Sequence, residues 1–302
     1  MQMATLMDFD VLGTKVPVSP FLHQLKLDGS QAPAFSLWGT PVSERVKELY
    51  QPYRDTHLWV EPFVGAGGML LEVQPEGAIC FDFCPEVAGL HQWLRDGGQY
   101  ILPVAGELTP DNYYYQRLRF QALQSEYQAS PDFVDPDVFF SLMIWLNKTC
   151  FNGLWRVNGD GFFNVPEGKD SKGDPHNPPD INLGELQQAY RDEWFFLDGD
   201  FEMAERKTSD PAFYYCDPPY FGTHNSYTPK NFTWDDQKRL AHWLVSLDAP
   251  VVVSNSNHAE IVKLYEDLGF QIEFIEVRRS ISCKGGNRAA ATELLATRGI
   301  DR

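Results

Sequence analysis

The sequence predicts an α/β fold: a largely parallel sheet with helices on both faces, interrupted by a helical insert that carries a β-hairpin. Two observations lead there. Residues 58–82 run strand, glycine turn, helix and a second strand closing on an acid, the βαβ order of a nucleotide-binding half. Strand-like and helix-like segments alternate again after residue 178, whereas much of 86–178 carries helical periodicity. The expected division is residues 1–85 and 179–302 for the two parts of the α/β domain and 86–178 for the insert.

In chain order, residues 1–33 have three prolines and no sustained period, and read as an arm on the surface. Residues 43–50 form a short helix behind a polar cap. Residues 58–63 are a strand that enters Val64-Gly65-Ala66-Gly67-Gly68, and 78–81 a strand ending in Asp82. Residues 112–128 and 136–147 are helices separated by Pro131 and Pro136. Residues 153–165 read as a hairpin turning at Asn158-Gly159-Asp160-Gly161, and 169–179 as a loop. Strands are expected at 194–197, 213–216, 251–254 and 272–277, and helices at 234–247 and 259–268.

Composition bounds the function. The 302 residues are 43% hydrophobic and 14% aromatic, enough for a full core. No apolar run approaches the roughly 20 residues that span a bilayer, and the first residues lack the basic start of a secretory signal. Five scattered cysteines without a CxxC pair argue against a disulfide scaffold or structural zinc, and for reduced thiols in a cytoplasm. The net charge of −17 opposes nucleic-acid binding unless basic residues gather on one face. Two groups do cluster in sequence: Arg278, Arg279, Lys284 and Arg288, and Lys148, Arg156, Lys169 and Lys172.

The most informative peptide is Cys216-Asp217-Pro218-Pro219-Tyr220. Two prolines stop the preceding strand because neither donates to a sheet ladder. Asp217 and the prolyl carbonyls offer acceptors without donors, which suits an NH₂ group, and Tyr220 offers a flat face for a ring. In the glycine turn, Gly65 and Gly67 let a ligand approach the backbone, and Asp82 suits the hydroxyls of a ribose. The third glycine of a pyrophosphate-binding turn is replaced by Leu70, so a nucleoside without pyrophosphate is expected, and S-adenosylmethionine fits. Asp200-Phe201 follows a strand and could meet an adenine ring. Arg156 in the hairpin could pair bidentately with a guanine, and Asn152 could read a base edge. His224, His242 and His258 do not fall at metal spacing, and Ser254-Asn255 reads as backbone capping.

Four stretches, VEPFVGAG, CFNGLWRVNGDGFFNVP, YYCDPPY and RRSISCKGG, together resemble the Dam-type DNA adenine-N6 methyltransferases, in the family's order. The resemblance implies a Rossmann-like methyltransferase sheet with an inserted target-recognition domain. It implies methyl transfer from S-adenosylmethionine, without a metal, to N6 of a flipped adenine in double-stranded DNA, with GATC as the expected site. Carried over by position, Trp38, Glu61, Phe63, Gly65, Gly67, Asp82, Asp200, Phe201 and Asp217 would hold the cofactor. Asp217, Pro218, Pro219 and Tyr220 would be catalytic. Asn152, Leu154, Arg156, Pro166, Lys169, Arg278, Arg279 and Lys284 would meet DNA, with Leu154 and Pro166 as apolar base contacts. A monomer in the cytoplasm is expected. One departure stands out: the family's Lys-Trp-Ala-Gly-Gly-Lys-like segment reads here Phe35-Ser36-Leu37-Trp38-Gly39-Thr40-Pro41-Val42, keeping only the tryptophan. That departure and the acidity support a rival reading, a catalytically weakened DNA-binding or regulatory relative. Cytosine N4 or a glutamine side chain is the alternative acceptor.

Overall fold

The computed structural model describes residues 10–11, 14–15, 41–103, 109–169, 173, 181–205, 210–221, 232–277 and 291–300. Within the arm, strands β1 (Asp10–Val11) and β2 (Thr14–Lys15) pair antiparallel. Helix α1 (Pro41–Tyr50) precedes β3 (Leu58–Glu61), the glycine turn, α2 (Gly68–Val73), β4 (Ala78–Asp82) and α3 (Pro85–Arg95). The long helices α4 (Pro110–Ala129) and α5 (Pro136–Thr149) follow, then a short α6 (Gly184–Gln187). The chain finishes with β5 (Trp194–Asp198), β6 (Ala212–Cys216), α7 (Trp234–Ser246), β7 (Val251–Ser256), α8 (Ala259–Asp267), β8 (Gln271–Val277) and β9 (Ala291–Arg298).

Among the described residues one sheet has seven strands in the order β5-β4-β3-β6-β7-β9-β8. The first five run parallel; β9 is antiparallel to both β7 and β8. Side chains alternate across it, as strand pleating requires. Trp59, Cys80, Phe213, Tyr215 and Val252 face a core shared with α1 to α5, while Val60, Phe81, Tyr214, Cys216, Val251 and Val253 face one shared with α7 and α8. Helices thus cover both faces, and the central strands read as continuous apolar runs because neither face meets water. The strand order reverses between β3 and β6.

Two expectations need correction. The hairpin of the insert is not a pair of continuous strands: its turn closes as expected, with Gly161 N–H on the Asn158 carbonyl at 3.0 Å, but its ladder reduces to the bridges Val157↔Phe163 and Cys150↔Glu167. Pro166 donates no N–H, and Asn152 and Gly153 take left-handed backbone (φ 53 and 61), which breaks the extended run. Second, α3 packs on β4 and β5, so the segment assigned to the insert from residue 86 begins with a helix of the sheet layer. Glu86 on that helix is buried and accepts the side-chain amides of Gln124 (2.8 Å) and Gln128 (2.6 Å) from α4. Gln124 in turn bonds the Gly161 carbonyl and the Phe163 N–H, so the hairpin is held to the sheet through α4. Among the described residues no helix is long and apolar enough to cross a membrane, and no group of His, Cys, Asp and Glu could hold a metal ion.

Candidate active site

The carboxyl ends of β3 and β6 are neighbours at the reversal of strand order, where open α/β sheets bind ligands. β3 leaves through Glu61 into the glycine turn, in which Gly65 (φ 49) and Gly67 (φ 71) take left-handed backbone that a Cβ disfavours. A Cβ at Gly65 would meet no atom of the described residues within 4 Å, so among them the turn opens onto empty space. A Cβ at Gly67 would lie 2.7 Å from Cε1 of His91. That ring, buried on α3, contacts the Gly65 carbonyl through Nε2 at 2.9 Å and the Tyr190 hydroxyl through Nδ1 at 2.7 Å. Burial lowers its pKa to about 4. The imidazole is therefore neutral near pH 7: Nε2–H donates to the carbonyl and Nδ1 accepts from Tyr190.

Asp82, at the end of β4, accepts the N–H of Gly65 on Oδ2 (3.1 Å) and that of Cys84 on Oδ1 (2.8 Å). Desolvation raises its carboxyl to about 6, opposed by those two bonds. Its oxygens keep lone pairs for further donors. Glu61 is 2% exposed, accepts the Trp59 indole N–H at 2.8 Å, and is pushed up to about 8 by burial.

The Phe201 ring, expected beside an adenine, is enclosed by its neighbours. Phe201 is 3% exposed, with the Arg239 guanidinium 4.2 Å above its ring and Trp243 and Phe63 at 5.3 and 5.6 Å. Arg239 also forks onto Asp200, Nη1 to Oδ1 at 2.7 Å and Nη2 to Oδ2 at 2.8 Å. By contrast Phe83, next to Asp82, is 54% exposed. A large apolar side chain open to water beside a strand-end acid is the signal that could have found it.

β6 delivers Asp217 to the same edge. Cys216 pairs with Val253, so the next residues of the two parallel strands, Asp217 and Ser254, lie side by side. The Ser254 hydroxyl donates to Asp217 Oδ1 at 2.6 Å, which exceeds the backbone-capping role expected of it. Asp217 is open to solvent at the mouth, yet flanked by protein. Desolvation by those walls raises its carboxyl pKa, and the hydroxyls of Ser254 and Tyr220 oppose the rise. The Pro219 carbonyl accepts the Gln237 amide at 2.7 Å, and Gln237 is held by Asn255 at 3.1 Å. The Pro218 carbonyl accepts nothing from the described residues. Asp217 and Pro218 therefore present two acceptors at one edge, with half-buried Tyr220 beside them and its hydroxyl on Glu293 at 3.3 Å.

In the insert, Arg156 donates Nε to Asn164 Oδ1 (2.7 Å) and Nη2 to the Asn164 carbonyl (3.0 Å), leaving three N–H groups for another partner. Its pKa is lowered, first by burial and then by the charge of Arg117, which reaches from α4 to the Val165 carbonyl at 3.2 Å. Two guanidinium groups thus share the hairpin base. Arg117 was not singled out because helix periodicity says nothing of what a side chain meets across the insert. Pro166 is exposed, Asn152 half-buried, and Lys169 is exposed 3.4 Å from Glu167. Leu154, expected to touch a base, is 4% exposed and packs in the insert core, because the left-handed turn at Asn152-Gly153 points it inward. Trp38, Arg278, Arg279 and Lys284 lie outside the described residues.

Residues 45–281 match the family model of D12 class N6 adenine-specific DNA methyltransferases. The type II methyltransferase M1.LlaDCHI of Lactococcus lactis subsp. cremoris is 29% identical over 265 residues, 83% of this chain and 89% of that protein. Type II methyltransferase M.MjaIII of Methanocaldococcus jannaschii is 31% identical over 254 residues, 76% of this chain and 84% of its own. The DNA adenine methylase of Escherichia coli K12 is 30% identical over 251 residues, 78% and 84% of the two chains.

Proposed function

Since this chain belongs to the D12 class of N6 adenine-specific DNA methyltransferases, and so transfers a methyl group from S-adenosylmethionine to adenine in DNA, we propose that Asp217 and the Pro218 carbonyl hold the amino group of a flipped adenine. The observation that carries the reading is the pair of acceptors just past the end of β6, one strand away from a glycine turn that opens, among the described residues, onto empty space.

The residues present fit the cofactor. Gly65 leaves room where a side chain would intrude, Asp82 keeps lone pairs for two ribose hydroxyls, and exposed Phe83 offers its face to the adenine ring. Glu61, Phe63 and Asp200 complete the surrounding wall. The bound cofactor supplies a methyl group already activated on a sulfonium; positioning is left to the protein.

Adenine N6 is a poor nucleophile because its lone pair is delocalised into the ring. Hydrogen bonds from its two protons to Asp217 and Pro218 favour pyramidal nitrogen and direct the lone pair towards the methyl group. Tyr220 stacks on the base and partly offsets the few kcal/mol that extrusion from a duplex costs. Transfer is direct, without a covalent enzyme intermediate, and the N6 proton leaves afterwards.

Recognition falls to the insert within residues 86–178, beyond α3. Arg156 reads a guanine, Pro166 contacts a base and Asn152 a base edge, while Lys169, Arg278, Arg279 and Lys284 meet phosphates. Leu154 supports the hairpin from within. The site is GATC in double-stranded DNA, and the protein acts as a monomer. Incubation of unmethylated DNA with S-adenosylmethionine, followed by methylation-sensitive sequencing, tests this. Methyl groups on adenine at GATC are expected; methylation elsewhere overturns the site, and Asp217→Ala with full activity overturns the amine pocket.

A further inference from the structure

We propose that Ser254, itself oriented by Tyr215, is the positioning residue of the amine-binding acid: its hydroxyl fixes the Asp217 carboxylate by one oxygen and leaves the other to the substrate. The inference rests on the assignment of Asp217 as the amine acceptor.

The direction of each bond follows from proton count. Ser254 has one proton, and an ionised carboxylate only accepts. The Cys216 carbonyl at 3.3 Å is a second, longer acceptor, so the proton goes to the charged Asp217 Oδ1 at 2.6 Å, and the Tyr215 hydroxyl, 3.1 Å from Ser254 Oγ, donates into Ser254. Tyr215 and Ser254 are 2% and 1% exposed and stand on adjacent strands, so neither hydroxyl can turn to water for a substitute partner. Parallel register, not a loop, places Ser254 beside Asp217.

The groups facing Asp217 make this donor matter. Glu61 looks in from β3, Tyr215, Cys216 and Tyr220 from β6 and its turn, and Glu293 approaches from β9 through Tyr220. None of them is a cation. The Ser254 hydroxyl is the first group favouring the ionised, accepting form of Asp217, with Tyr220 adding to it when its one proton turns from Glu293 to Asp217. Without Ser254 the carboxyl would hold its proton to higher pH and turn about its own bond.

The test measures methyl transfer to duplex oligonucleotides by wild type, Ser254→Ala, Ser254→Thr, Tyr215→Phe and Asp217→Asn, with kcat, KM for S-adenosylmethionine and pH profile for each. Ser254→Ala should lower kcat by about 10- to 100-fold at unchanged cofactor KM. The acid limb of its kcat profile should move up by about one pH unit. Ser254→Thr keeps the hydroxyl and should restore both rate and limb. Tyr215→Phe, which leaves the core volume intact, should move the limb the same way by less. Wild-type kcat and limb in Ser254→Ala overturn the inference, as do equal losses in Ser254→Ala and Ser254→Thr with the limb unmoved. If Asp217→Asn is inactive while Ser254→Ala is normal, only this inference falls. If Asp217→Asn is fully active, the Asp217 assignment falls first and takes this with it.

Discussion

The Nε2–H of His91 donates to the carbonyl oxygen of Gly65 across 2.9 Å, so the glycine turn is held from behind by a buried ring of α3. This separates the two glycines of the turn. Gly67 has a left-handed φ and a neighbour 2.7 Å from where a Cβ would be; Gly65 has a left-handed φ and empty space. Gly67→Ala should therefore destabilise the fold by about 2–4 kcal/mol, combining backbone strain and overpacking. Gly65→Ala should cost about 1–2 kcal/mol from backbone strain alone, yet weaken S-adenosylmethionine binding the more severely, because its methyl enters the ligand's space. Thermal unfolding and calorimetric titration measure the two effects, and equal stability losses would contradict the geometry.

Glu61 makes a pH prediction. Burial raises its carboxyl from 4.5 to about 8, so across that interval the folded protein keeps a proton that the unfolded chain releases. Its contribution to stability is complete below pH 4.5 and is lost as pH rises towards 8. Glu61→Gln keeps an acceptor for the Trp59 indole and removes the titration. Its stability advantage over wild type should grow between pH 4.5 and 8 by on the order of 5 kcal/mol, then level off. His91, with its pKa lowered to about 4, acts oppositely: stability is lost as pH falls from 6.5 towards 4. That term is common to both proteins and cancels in the difference. Parallel unfolding curves for the two across this range would show that Glu61 does not titrate inside the fold.

Which of these features could be read from the sequence depended on how local their causes were. The two glycines, Asp82 and the Asp217 turn announce themselves within a few residues, because prolines and left-handed backbone are properties of single positions. The apolar runs of β6 and β7 were equally plain, since a strand buried on both faces needs no partner to look apolar. β9 was missed: Ala291-Thr292-Glu293-Leu294-Leu295-Ala296-Thr297-Arg298 is rich in helix formers, and only its place between β7 and β8 makes it a strand. Ser254 was seen but given a smaller role, because its link to Asp217 spans 37 positions and depends on strand register.

Phe83 and Phe201 looked alike in sequence, each just after an acid near a strand end, and packing distinguishes them. Phe83→Ala should raise the KM for S-adenosylmethionine several-fold and leave the melting temperature near wild type, because an exposed ring contributes little to the fold. Phe201→Ala should cost about 3–5 kcal/mol of stability, since it empties a site enclosed by Phe63, Trp243 and Arg239. Cofactor KM and thermal melts on both variants decide; a cofactor KM unaffected by Phe83→Ala would return the adenine to another wall.

Arg156 and Arg117 stand at one hairpin base yet should fail differently. Arg156 commits Nε and one Nη2 hydrogen to Asn164, so its planar end is pre-aimed with three donors left. A bidentate pair with guanine is worth about 1–3 kcal/mol against the wrong base. Arg156→Ala and Arg156→Lys should thus slow methylation of the preferred site by about 10- to 100-fold and shrink its advantage over sites with that guanine replaced. Lysine does not rescue because a point charge lacks the fork. Arg117 has no such aim: its Nη1 goes to the Val165 carbonyl, so its expected part is that of a general positive charge rather than a base reader. Arg117→Ala should weaken binding to all sequences alike and reduce the salt dependence of log K by a slope of about one. Competition assays with matched and guanine-substituted duplexes over a salt series separate the two. If Arg156→Ala left the ratio between sites unchanged and only flattened the salt slope, Arg156 would be a phosphate contact and the guanine would be read elsewhere.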